Sequence, residues 1–255
     1  MKTIRVGLFG FGKTGKLVAN EFLKDGRFEL KWVVKRTKKF SENYASRLLG
    51  HEKKIGRIHA VTNLGPRFFA KNPVDVLVDF SSSQGYRSYA PAADAGVRII
   101  TAISKYEPED VAVLREMSQK TAVLYSPNIT LGINFLLVGS QVLQRIAPHA
   151  DIEIVEEHFR EKREVSGTAL KIAQVLGLER AQHVNSIRVG GIVGRHEVVF
   201  GLPNQTIRLV HESINRAAFG QGAIFGALWL ADKGPGLYSM EQIVADMMAR
   251  NVPIY

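Results

Sequence analysis

Two stretches of this chain carry residue types that do chemistry. The first is Gly10-Phe11-Gly12-Lys13-Thr14-Gly15, directly after the apolar run Ile4 to Phe9. At these spacings Gly10 allows a sharp turn, Gly12 lets a pyrophosphate approach the backbone, and Gly15 lets the next helix pack on the strand. The helix N-terminus adds unpaired N–H groups and a positive dipole end. The loop predicts dinucleotide binding; a merely tight turn is the plainer alternative. The second stretch runs from Glu156 to Ala169. In it His158 and Lys162 can carry protons, and Arg160 and Arg163 are fixed cations. Ser166-Gly167-Thr168 precedes a helix, with Thr168 as a candidate N-cap, and backbone N–H groups there suit a substrate carboxylate. The segment could hold an acidic substrate and protonate it. Composition alone favours a strand-to-helix loop with a stray histidine.

The end of the second strand selects the cofactor. NAD sites usually carry Asp or Glu about 20 residues beyond the glycine loop, bonding the ribose hydroxyls. Here that place is held by Lys35, followed by Arg36. A carboxylate repels a 2′-phosphate, whereas these cations attract it. NADPH is therefore the expected cofactor, with NADH second.

The elements that must position these groups alternate in the first half. Phe28, Leu30, Trp32 and Val34 alternate as a strand. Val74 to Phe80 is almost wholly apolar, as in a buried parallel sheet. A helix around Tyr86 to Ala95, a strand at Val97 to Ile100, a helix opened by Pro108 and a strand at Ala122 to Tyr125 follow. This is the α/β pattern of a doubly wound parallel sheet. After about Asn128 the pattern changes. Gly132 to Ile146 reads as an amphipathic helix, Asp151 to Glu157 as a strand and Thr168 to Leu176 as a helix. Three alternating runs between Ser186 and Ser213 read as an antiparallel meander, and Phe219 to Leu230 as a helix. Trp32, Trp229, Met240, Met247 and Met248 read as packing residues.

The 255 residues include 34 Lys and Arg against 24 Asp and Glu, a net charge of +10. Nucleic acid or small polyanionic ligands would both answer that charge. The basic residues are scattered, at Lys35-Arg36-Thr37-Lys38-Lys39, Lys53-Lys54 and Arg160 to Arg163, and no basic recognition helix stands out, so nucleic acid is not expected. There is no cysteine, no bilayer-length apolar run and no signal-peptide pattern. A cytoplasmic protein without membrane contact is expected. His196 and His211 lack further ligands at metal spacing, so no metal is expected.

The reactive segment resembles that of the dihydrodipicolinate reductase family of lysine biosynthesis, Glu-x-His-His-x-x-Lys-x-Asp-Ala-Pro-Ser-Gly-Thr-Ala. His158, Lys162 and Ser166-Gly167-Thr168-Ala169 match it. Val78-Asp79-Phe80, Pro127-Asn128 with Gly132 and Asn134, Gly190 to His196, Arg216 to Ala223, Ala227 to Leu230 and Gly236 to Met240 extend the likeness over nearly the whole chain. The resemblance implies a Rossmann-type domain of residues 1–128 and 217–255. Residues 129–216 would be an α+β substrate and oligomerisation domain with an open mixed sheet. It implies hydride transfer to the conjugated imine of a cyclic dicarboxylate, 4-hydroxy-tetrahydrodipicolinate, giving tetrahydrodipicolinate. His158 and Lys162 would be the acid–base pair, and Phe159, Arg160, Ser166, Gly167 and Thr168 the substrate contacts. Phe80 and Ser81 would bind the cofactor, and Thr101-Ala102-Ile103 and Ser126-Pro127-Asn128-Ile129 would line the nicotinamide. A homotetramer is also implied. This chain departs from the family in three places. Phe159 replaces the second His, Glu164-Val165 replaces Asp-Ala-Pro, and Thr101-Ala102-Ile103-Ser104 replaces Gly-Thr-Thr-Gly. Those changes keep open a paralogous reductase of another imine or amino-acid-derived acid. A dinucleotide-sensing DNA-binding regulator rests on the charge alone.

Overall fold

A computed structural model describes residues 3–37, 43–65, 67–251 and 253; Lys38 and Lys39 of the basic cluster lie outside them. The elements begin β1 (Ile4–Phe9), α1 (Lys13–Lys24), β2 (Phe28–Lys35), α2 (Ala45–Leu48), β3 (Arg57–Ala60), α3 (Phe68–Lys71) and β4 (Val76–Asp79). They continue α4 (Tyr86–Asp94), β5 (Arg98–Thr101), α5 (Pro108–Ser118), β6 (Ala122–Tyr125), α6 (Leu131–Ile146), β7 (Asp151–His158), α7 (Gly167–Leu176) and α8 (Arg180–His183). The last are β8 (Val184–Arg188), β9 (Arg195–Leu202), β10 (Gln205–Glu212), α9 (Ala218–Leu230), β11 (Gly236–Tyr238) and α10 (Met240–Arg250).

The chain divides into two compact units, Met1–Thr130 with Phe219–Met240, and Leu131–Ala218 with Glu241–Tyr255. The family resemblance would place the tail after Met240 with the first unit. In this division it goes with the second, since β11 is the last described segment hydrogen-bonded into the first unit's sheet.

The first unit holds a seven-stranded parallel sheet in the order β11-β6-β5-β4-β1-β2-β3. Val76, Leu77 and Val78 of β4 are buried, because helices on both faces demand apolar strands, and Asp79 at its end is buried with them. Trp32 fills the centre, edge-on to Phe9 and Phe68. A side chain at Gly7 would collide with its indole. The edge strands β3 and β11 escape the sequence pattern because four and three residues show no period. After β3 the chain returns to the other side of β1. The crevice between the carboxyl ends of β1 and β4 is the switch point where such folds bind ligands.

The second unit holds a four-stranded mixed sheet in the order β10-β9-β7-β8. The expected meander is corrected here. Only β9 and β10 form a hairpin, across Pro203-Asn204. β8 runs parallel to β7 on its far side. Alternation shows which face a residue takes and leaves the pairing partner open, and the β7-α7-β8 crossover decides it.

Along β7 burial alternates strictly, and the ladder sorts the covered face into rows. Ile152, Phe200 and Ile207 form one row, and Val184, Ile154, Val198 and Leu209 the next. These pack with Ile133, Leu136 and Leu137 of α6 and Ala169, Ile172, Ala173 and Leu176 of α7. Each large apolar side chain buried there contributes roughly 1.5–3 kcal/mol. The third row is polar: Ser186, Glu156, His196 and His211. The sheet thus turns from core to chemistry within two residues of strand.

Candidate active site

The glycine loop has the geometry its spacing predicts. Gly10 has φ +94, and a side chain there would strike the backbone of Phe80. A side chain at Gly15 would strike the Gly10 carbonyl, so β1 and α1 could not approach. Around Gly12, which caps α1, a Cβ would meet nothing within 4 Å. Open space beside a free helix N-terminus is what a pyrophosphate needs. Phe11 is buried, Lys13 is exposed and Thr14 is half-buried. Lys35 ends β2, which pairs with β1, and exposed Arg36 follows it.

A cleft of about 500 Å³ lies at the switch point. Thr14, Phe80, Ser81, Ala102, Ile103, Pro127, Ile129 and Phe219 line it. Among the expected nicotinamide contacts, Thr101 and Ser126 are fully buried behind this lining. The Ser126 hydroxyl donates to the Asn128 carbonyl at 2.9 Å and fixes the turn. Thr101 Oγ1 is 2.9 Å from Tyr106 Oη. Tyr106 lies near Tyr89 Oη, at 3.5 Å, and Tyr89 donates to Asp79 Oδ2 at 2.9 Å. Ser81 donates to Asp79 Oδ1 from its amide at 2.8 Å and its hydroxyl at 2.5 Å. Asp79 is completely buried with neutral donors only, and burial pushes its pKa to about 6 against their pull. This cluster braces the loops after β4 and β5. The loop after β5 is thus tied down by hydroxyl groups.

The reactive segment is built on the polar row of the second unit. His158 Nδ1 is 2.5 Å from Glu156 Oε2. Arg188 grips both oxygens of Glu156, at 2.5 and 2.9 Å. Ser186 Oγ donates to Oε1 at 2.6 Å, and the Ser166 amide at 3.2 Å. Arg188 also donates to the Lys162 and Glu164 carbonyls, at 2.9 and 3.0 Å, pinning the loop between β7 and α7. Burial alone would raise the Glu156 pKa. The hydrogen bonds from Arg188, Ser186, His158 and Ser166 outweigh it and hold the acid at about 2. Burial lowers the His158 pKa below its ordinary value, with Glu156 opposing and the Lys162 and Arg188 charges assisting. His158 is thus neutral at pH 7, with Nδ1–H donated to Glu156 and Nε2 left to exchange protons. Gly194 stands against that nitrogen, where a Cβ would come within 3.0 Å.

Ser166 is the N-cap of α7, its hydroxyl accepting from the Ala169 amide at 3.5 Å. Thr168 is therefore not the cap; the helix starts at Gly167, one residue earlier than the sequence suggests. Gly167 is exposed, and a Cβ there would meet nothing within 4 Å. Arg160 is exposed, and Phe159 and Lys162 are half-buried.

Sequence reasoning alone misses Glu156, Ser186, Arg188 and His196 as members of the site. A signal for the first exists: residues two apart on a strand share a face, so Glu156 lies beside His158. Glu157 points the other way and binds Arg195. Arg188 and Ser186 carry no local signal, since the parallel ladder alone brings them to Glu156. Among the described residues no group of three His, Cys, Asp or Glu is placed to hold a metal. None of the described helices is long and apolar enough to cross a membrane.

Comparison with known proteins agrees with this architecture. Residues 4–129 match the model of the dihydrodipicolinate reductase N-terminus, and residues 132–244 that of its C-terminus. The 4-hydroxy-tetrahydrodipicolinate reductase of Archaeoglobus fulgidus is 30% identical over 94% of this chain and 100% of its own length. That of Buchnera aphidicola subsp. Acyrthosiphon pisum (strain Tuc7) is 28% identical over 96% of this chain and 99% of its own. A dipicolinate-bound dihydrodipicolinate reductase from Paenisporosarcina sp. TG-14 shares the fold, with TM-score 0.77 and 22% identity over 94% of this chain and 99% of that one. The chain belongs to the dihydrodipicolinate reductase family, NAD(P)H-dependent oxidoreductases that reduce 4-hydroxy-tetrahydrodipicolinate in lysine and diaminopimelate biosynthesis.

Proposed function

We propose that this chain carries out that reduction with NADPH preferred over NADH, and with His158 and Lys162 handling the proton. The observation that carries the reading is the Glu156–His158 pair. A buried carboxylate held ionised by Arg188 fixes the imidazole tautomer and leaves Nε2 as the working atom. The bound nicotinamide supplies a hydride. Gly10 to Gly15 would hold its pyrophosphate, and Phe80, Ser81, Ala102, Ile103, Pro127 and Ile129 would flank the ring. Ser166, Gly167 and Thr168 hold a substrate carboxylate at the start of α7, where N–H groups and the helix dipole favour an anion. Arg160 adds a cation and Phe159 an apolar side chain. Lys162 delivers a proton from solvent, and the cations around it stabilise charge that develops on the substrate ring.

Changing both His158 and Lys162 to Ala tests the roles. We expect kcat to fall at least 10²-fold with little change in NADPH affinity. Full turnover by the double variant on freshly prepared 4-hydroxy-tetrahydrodipicolinate, followed by NADPH absorbance, rules the assignment out. The Lys35-Arg36 pair supports NADPH, and a tenfold lower KM for NADH overturns that preference.

The homotetramer and a cytoplasmic location belong to the same proposal. The open face of the four-stranded sheet leaves Ile187 44% and Val210 49% exposed beside the Glu157–Arg195–Glu197–Arg208 ion network. Such a surface suits burial against further copies of the chain. Sedimentation at micromolar concentration checks it, and a monomer would end the idea.

A further inference from the structure

The polar row contains one buried histidine with no part in the chemistry above. His196 sits on β9 opposite Glu156 and is 6% exposed. Its Nε2 lies 2.7 Å from Ser166 Oγ. Its Nδ1 is buried without a hydrogen-bond partner. Its ring meets His158 nearly edge-on, centroids 5.3 Å apart. Burial, then repulsion from His158 where that ring is protonated, drives its pKa down to about 3, so the ring is neutral under working conditions.

A neutral imidazole carries one proton, and two placements are open. With the proton on Nδ1, a buried N–H has no acceptor, and Ser166 must direct its own hydroxyl hydrogen to Nε2. With the proton on Nε2, the unpartnered atom is a bare lone pair, which costs less to bury than an orphaned N–H. A serine oxygen has two lone pairs and one hydrogen. In this second arrangement both lone pairs are filled, one by His196 Nε2–H and one by the Ala169 amide. The hydroxyl hydrogen is then what Ser166 Oγ has left to offer a ligand.

We infer that His196 is a positioning residue: by donating from Nε2 to Ser166 Oγ it turns the Ser166 hydroxyl into an obligate donor for a substrate carboxylate. This rests on the reading of Ser166 to Thr168 as a carboxylate subsite. His196 does not touch substrate. It removes the choice Ser166 would otherwise have between accepting and donating, so the subsite opposes groups that only donate and favours an acceptor such as a carboxylate.

The test is a double-variant cycle in the full-length enzyme: His196→Phe, Ser166→Ala and both together. Dipicolinate is the equilibrium probe, with the substrate KM and the NADPH Kd measured alongside. We expect H196F and S166A each to weaken dipicolinate binding and raise substrate KM about tenfold, the loss of roughly one hydrogen bond, with NADPH affinity unchanged. The double variant should be no worse than S166A, because His196 acts only through Ser166. His196→Gln, which keeps a side-chain N–H donor, should recover part of the loss. Additive effects, or an H196F enzyme with unchanged KM, overturn the role of His196 while the subsite reading stands. An S166A enzyme with unchanged KM overturns the subsite reading itself. Should H196F fail to fold, nitrogen-15 NMR of the wild-type imidazole decides: protonation of Nε2 supports the inference, and protonation of Nδ1 sinks it.

Discussion

Glu156 and Asp79 are two completely buried carboxylates, each near the carboxyl end of a strand, and they titrate in opposite directions. Glu156, in the second unit, is held at about 2; Asp79, in the first, is pushed to about 6. Burial is the largest influence on both and raises both. Each also accepts several hydrogen bonds. Two things separate them: Asp79 lies deeper in the protein, so burial weighs more on it, and Arg188 grips Glu156, whereas Asp79 has only Ser81, Tyr89 and Tyr106. A buried acid kept ionised can steer a histidine. One with neutral partners acts as a brace whose charge is close to switching at physiological pH.

The sharpest way to break this contrast is to neutralise Glu156. E156Q leaves Arg188 without its counter-charge and His158 with at best a neutral acceptor. Urea unfolding should show a loss of about 3 kcal/mol. kcat should fall roughly 10²-fold, and the acid limb of the kcat/KM profile should move to lower pH because the group that raises the His158 pKa is gone. Wild-type kcat in E156Q would show that the carboxylate is only a structural partner.

The next largest effect is the opposite pH dependence of the two acids. A lowered folded pKa gives stability present above the unfolded value of 4.5 and lost as pH falls through about 2, so Glu156 favours neutral pH. A raised folded pKa gives stability present below 3.8 and lost as pH rises through about 6. Ionised Asp79 therefore costs on the order of 2–3 kcal/mol at pH 8. D79N should remove that part of the decline, which falls between about pH 4 and 7. An unchanged slope in D79N would mean that Asp79 is already ionised across the range.

Smaller still is the effect of Y106F, which deletes the hydroxyl tied to Thr101. We expect about 1 kcal/mol of stability lost and a several-fold rise in NADPH KM, with substrate KM steady. If the two KM values rise together, the brace does not act on the cofactor loop alone. The smallest effect should come from Glu157, one residue from Glu156 but on the open face with Arg195. E157Q should cost under about 1 kcal/mol and leave kcat unchanged, because its partner stays near solvent and keeps Glu197.

Sequence alone determined what local periodicity and backbone sterics control. The glycines at 10, 12 and 15 specify a turn, an open approach and a close packing contact before any fold is known, because each depends on the absence of a Cβ. Strand period likewise separates Glu156 from Glu157. The strand–helix alternation specifies a parallel sheet, since each parallel strand needs a crossover. Tertiary structure alone decided which strands became neighbours. A meander and a β7-α7-β8 crossover show the same alternation, yet only the crossover brings Ser186 and Arg188 to Glu156. The brace of Asp79 by Tyr89 and Tyr106 joins groups from three different elements and loops, so no spacing encodes it. The pKa of a buried acid depends on the charges the fold brings within hydrogen-bond reach. His158 stands out in the sequence by its type, whereas Ser186 and Arg188 join it only through the ladder that the fold forms.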